Sequence, residues 1–134
     1  MFRRSIAIGA IVVLSLLTAG LSGCATAPRC FPAVLSVSPS SAAAGSSVIL
    51  SSPAANCALN YWDGHTYSVT LSAQKVTSQP VVASVARDGR FSKKIPIPAD
   101  FPSETAYLIV TGSPYDECED GASCAGYSAT VTVK

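Results

Sequence analysis

The chain is predicted to fold as an all-β, antiparallel β-sandwich of about seven strands. Three observations carry this expectation. Short apolar runs alternate with hydroxyl residues at a period of two. Gly, Pro and Asp-Gly turns separate those runs at short intervals. No segment after residue 24 repeats its apolar positions with a helical period.

Taken in order, the strand segments are these. Ala33–Ser38 runs into the turn cluster Pro39-Ser40-Ser41. Gly45 precedes Ser46–Ser52, which Pro53 stops. Thr66–Ser72 places Tyr67, Val69 and Leu71 on one face and hydroxyls on the other, the signature of a half-buried strand. Pro80–Arg87 aligns Val81, Ala83 and Val85, and Asp88-Gly89 is a hairpin signal. In Arg90–Pro98, Phe91, Ile95 and Ile97 share a side. Pro96 and Pro98 cannot donate to a ladder, and Lys93 and Lys94 suit an exposed edge, so this strand is expected at a sheet edge. Thr105–Thr111 and Tyr127–Val133 complete the set.

The N-terminus has a different composition. Arg3 and Arg4 precede an apolar run from Ile6 to Leu17, followed by small residues and Leu21-Ser22-Gly23-Cys24. The run is shorter than the about 20 residues that a spanning helix needs. Its order is that of an export signal. The segment resembles a bacterial lipoprotein signal peptide with its lipobox. That resemblance implies cleavage before Cys24 and a diacylglyceryl thioether on its sulfur. Two acyl chains meet the requirement for stable anchoring, at about 0.8 kcal/mol per buried methylene. The resulting division is 1–23 signal peptide, 24–32 lipidated cysteine and short linker, and 33–134 sandwich. The partner so implied is the membrane, through the lipid on Cys24, at its extracytoplasmic face.

Without Arg3 and Arg4 the chain carries seven basic against eight acidic side chains. No basic patch suited to nucleic-acid phosphates is present, so no nucleic-acid partner is expected. Beyond Cys24 stand four cysteines: Cys30, Cys57, Cys118 and Cys124. An even number in an exported chain points to disulfides. The favoured pairs are Cys30–Cys57 and Cys118–Cys124, the second closing a small loop that bends at Gly121; Cys57–Cys118 is the alternative. A metal site is disfavoured, because no Cys-x-x-Cys occurs and His65 is the sole histidine. No cofactor is expected.

The order Val37-Ser38-Pro39, Ala44-Gly45-Ser46-Ser47-Val48, Asp88-Gly89-Arg90-Phe91-Ser92, Ile97-Pro98-Ala99-Asp100 and Ala129–Val133 resembles bacterial immunoglobulin-like surface domains. The likeness covers Leu35 to Lys134 and implies an immunoglobulin-like sandwich. It says little of activity, since unrelated functions share such folds. The chain departs from antibody domains: Trp62 lies only five residues after Cys57, and Asp116, not Tyr, sits two before Cys118.

Two segments concentrate chemistry. Tyr61-Trp62-Asp63-Gly64-His65 gathers aromatics, a carboxylate and the histidine, suited to stacking on a sugar ring or a partner protein, or else to covering one end of the core. Asp116, Glu117, Glu119 and Asp120 form an acidic loop without EF-hand spacing. No G-x-S-x-G, H-E-x-x-H or phosphate loop is present. No residue is assigned a catalytic role. The expected function is that of a lipid-anchored, non-catalytic binding or structural module of the cell envelope, with an envelope protein or glycan as partner. The alternatives are a carbohydrate- or cell-wall-binding adhesin centred on Tyr61, Trp62 and His65, and a small hydrolase using His65.

Overall fold

Alternation of apolar and hydroxyl side chains settles which face of each strand turns inward. The computed structural model describes residues 28–117 and 126–134. Nine strands follow in chain order: β1 (Ser36–Ser38), β2 (Ser41–Ala42), β3 (Ser47–Ser52), β4 (Thr66–Ala73), β5 (Val76–Thr77), β6 (Val81–Ser84), β7 (Phe91–Pro96), β8 (Thr105–Thr111) and β9 (Tyr127–Val133). A single 3-10 turn, Pro114–Asp116, is the only helical element among the described residues. All seven expected segments are strands; β2 and β5, of two residues each, are too short to leave a periodic signal.

The strands form two sheets, β1-β3-β7 and β2-β9-β8-β4-β5, with β6 also paired to β4. In β4, Tyr67, Val69, Leu71 and Ala73 are buried while Ser68, Thr70 and Ser72 face outward. They meet Val48 and Leu50 of β3, Phe91 and Ile95 of β7, and Leu108 and Val110 of β8 in one continuous core. Each such Val, Leu, Ile or Phe stabilises the fold by about 1.5–3 kcal/mol relative to exposure. The fold is therefore an all-β two-sheet sandwich. Its division into β1, β3 and β7 against β4, β8 and β9 follows the strand order of immunoglobulin-like sandwiches.

Two details differ from expectation. The sheets are not wholly antiparallel: β2 runs parallel to β9, pairing Ser41 with Thr132 and Ala42 with Val133. A parallel pair needs a long connection, and here the rest of the domain supplies it. The turn at Asp88-Gly89 is tight, with the Gly89 N–H donating to the Ala86 carbonyl (2.9 Å) and the Ala86 N–H to the Arg90 carbonyl (3.0 Å). Its arms nonetheless do not make a hairpin. β6 pairs with β4 and β7 with β3, so the turn carries the chain from one sheet to the other. Turn chemistry is local, whereas pairing is decided by which neighbour covers each apolar face.

β7 lies at the edge of its sheet, as its prolines and lysines foretell. Lys93 is opposite the inward Leu50 and stands half-buried on the core side between Phe91 and Ile95. An inward-pointing cation on an edge strand discourages pairing with further strands, and its aliphatic stem covers apolar surface.

The Cys30–Cys57 disulfide is present, with Cα atoms 5.7 Å apart. It fastens the segment before β1 to the loop between β3 and β4. Cys118–Cys124 lies outside the described residues, as do the signal segment and Cys24. Closing a loop of 27 residues' separation restricts the unfolded chain, an effect of about 3–4 kcal/mol in the loop-entropy description. Replacing both Cys30 and Cys57 by Ser is expected to lower the unfolding free energy by about that amount, read from the urea midpoint of the oxidised protein. An unchanged midpoint would show that the bridge contributes nothing.

Candidate functional site

Three loops meet at one end of the sandwich: 53–65 between β3 and β4, 85–90 between β6 and β7, and the segment after β8. The aromatic residues of the first loop, together with Tyr67 at the start of β4, cap this end. Tyr67 is fully buried. Its ring meets Phe91 (5.2 Å), Tyr127 (5.9 Å), Tyr61 (6.0 Å) and His65 (5.6 Å) edge to face, the arrangement that aligns ring edges with ring faces. Its hydroxyl hydrogen-bonds that of Tyr61 at 2.9 Å. Tyr61 stacks on His65 at 3.9 Å, and Trp62 stands edge-on to the same imidazole at 4.6 Å.

The sequence-selected trio is thus brought together, but with unlike exposure. Tyr61 and His65 are buried; Trp62 is 67% exposed. His65 Nε2 lies 2.8 Å from the Gly112 carbonyl. A carbonyl only accepts, so Nε2 carries the proton and donates. Nδ1 is enclosed and has no partner among the described residues. Among the described residues neither ring nitrogen meets a serine hydroxyl.

Gly112 completes the cap and was not singled out by the sequence. Its N–H donates to Asp116 Oδ2 (2.5 Å), and its carbonyl receives His65. Its φ of +100° favours glycine, and a Cβ there would lie 2.8 Å from the Thr66 carbonyl oxygen. A Gly directly after a strand was the available signal, though nothing local ties it to a histidine 47 positions away. Between Trp62, His65, Gly112, Pro114 and Asp116 lies an open cleft of about 420 Å³.

The carboxylates here are committed to the fold. Asp116 holds the Gly112 N–H, and Glu117 pairs with Arg29 at 3.0 Å. Asp63 takes a two-point bond from Arg87, at 2.6 and 2.5 Å, which holds its carboxyl below the usual carboxylate range. Among the described residues no group of three or more His, Cys, Asp or Glu side chains is placed to hold a metal ion. Glu119 and Asp120 lie outside the described residues.

The N-terminal segment is fastened to this same end. Arg29 reaches Glu117, Cys30 bridges Cys57, and Phe31 packs on Tyr115 at 4.6 Å, which stacks on Tyr127 at 5.1 Å. The Ala33 carbonyl accepts from both Tyr127 Oη (2.6 Å) and Ser52 Oγ (2.9 Å). A chain leading into residue 28 therefore meets the fold at the end that carries Trp62. No protein-family model, curated protein or solved structure matches this chain.

Burial is the main cause that pushes the hydroxyls of Tyr61, Tyr67 and Tyr127 above their ordinary value of 10.0. The unfolded chain releases these protons near that ordinary value while the folded chain retains them. Stability is thus fully present below about pH 10 and is lost as pH rises toward the folded values. Urea midpoints are expected to fall steadily at alkaline pH, with the tyrosinate absorbance of these three rings appearing together with unfolding. Full ionisation of all tyrosines in the still-folded protein would refute the buried cap.

Proposed function

We propose that this protein is a lipid-anchored, non-catalytic binding or structural module on the extracytoplasmic face of the cell membrane. The observation that carries the reading is the fastening of residues 29–33 to one end of the sandwich. A load applied at Cys24 then reaches the core through a disulfide, an ion pair and an aromatic stack rather than through a free tail. The disulfide suits an oxidising compartment outside the cytoplasm. Five residue steps separate Cys24 from Arg29, a reach of roughly 17 Å when extended. The aromatic end would sit close to the lipid and the opposite end would point away. The engaged Nε2 and enclosed Nδ1 of His65 favour a non-catalytic role over a hydrolase.

Cys24→Ala is expected to move the protein from the membrane to the soluble fraction. The wild-type N-terminal peptide should begin at Cys24 with the mass of a diacylglyceryl group added. Sedimentation of the variant with membranes at the wild-type level would refute the anchor.

A second reading, a carbohydrate- or cell-wall-binding adhesin, is favoured by one observation: Trp62 is exposed while held edge-on by His65, a fixed ring face able to stack on a sugar. Tyr61 and His65 would then orient the indole from below. Trp62→Ala is expected to abolish retention on cell-wall glycan while changing stability by less than about 1 kcal/mol. Retention at the wild-type level would end the glycan reading.

A further inference from the structure

We propose that the outer face of the six-stranded sheet is a docking surface for a second copy of this chain, the two sheets packing face to face. No residue of β2, β4, β5, β6, β8 or β9 is charged. The strand charges among the described residues belong to β7, on the other sheet. Register assembles the outer face: Val82 beside Ser68 beside Thr111, then Thr70 beside Ile109 beside Ser128, then Ser72 beside Tyr107 beside Thr130. The face is hydroxyls surrounding Val82, Tyr107 and Ile109, which are 59%, 52% and 38% exposed.

A solvated sheet face ordinarily carries interspersed charges of both signs. Their complete absence from four adjacent strands needs a reason, and self-association supplies one. Across a two-fold axis the same patch meets itself, so any net-charged cluster would meet its own charge. An uncharged face escapes this repulsion, and depletion of charge with a central tyrosine is the composition of interface cores. Hydroxyls of Ser and Thr donate and accept equally, so each can pair with its like.

The size is sufficient. The six strands of this sheet hold between two and eight residues each, so at ~3.4 Å per residue and ~4.8 Å per strand their outer face covers roughly 500 Å² on each copy. The pair would bury roughly 1,000 Å² before side-chain relief is counted, the lower bound of a specific interface. Sheets packed face to face at ~10 Å with a twist near −30° are a standard arrangement. The aromatic cap and the N-terminal fastening lie at one end of the sandwich, off this face, so two copies joined this way leave both chain entries free. The association does not depend on the anchoring reading.

The test is sedimentation equilibrium of the full chain in detergent over a micromolar-to-millimolar series. Wild type is expected to approach twice its monomer mass. Ile109→Lys and Thr70→Lys are each expected to weaken association by at least about tenfold, since each sets like charges against one another. Near-ultraviolet circular dichroism should stay unchanged, and the Thr70 variant keeps the test decisive if the Ile109 variant misfolds. Lys94→Glu, on the other sheet, should leave association intact. A wild-type chain that stays monomeric throughout overturns the proposal, whether or not a glycan or another protein binds this face. So does a dimer that Lys94→Glu breaks and the two face variants do not.

Discussion

The burial of Tyr67 is the constraint on which the functional end of this molecule depends. A single ring at the start of β4 touches Phe91 from the opposing sheet, Tyr127 from β9, and Tyr61 and His65 from the capping loop. Its hydroxyl is spent on Tyr61. A buried phenol needs such a partner, because an unpaired one costs about 1–3 kcal/mol. Sheet packing and loop placement are therefore one event. The loop that presents Trp62 takes its position from the same ring that closes the core.

From this follows a division of labour along the sandwich. The capped end carries the chain entry, the disulfide, the ion pairs and the exposed indole. The flanks are plain strand faces. Charge follows the same partition: Asp63–Arg87, Asp88–Arg90 and Arg29–Glu117 pair within the loop end, while the six-stranded sheet carries none. Exposed pairs of this kind contribute little stability. Their effect is to cancel most of the charge at the loop end, where Trp62 is the most exposed of the aromatic rings.

The loop aromatics illustrate how local sequence and tertiary environment part company. Tyr61, Trp62 and His65 stand within five positions and read as one cluster. Packing turns Tyr61 and His65 inward and leaves Trp62 outside. A turn has no periodicity to tell inside from outside. The acidic loop behaves likewise: Asp116 is spent on the Gly112 N–H four positions away, and Glu117 on Arg29, 88 positions away in sequence.

The residues alone determined the all-β class, the position of all seven principal strands, the inward faces of β4 and β7 and the edge placement of β7. Each of these is written in short-range pattern: period-two alternation, β-branched content and turn dipeptides. Cysteine parity pointed to disulfides but left the pairing open, and the fold joins Cys30 to Cys57. Tertiary structure alone decided that the Asp88-Gly89 turn changes sheets, that β2 joins β9 in parallel, that Gly112 receives His65, and that the chain entry and Trp62 share an end. Those depend on which apolar face finds which cover, a matter of long-range contact that no local window of sequence contains.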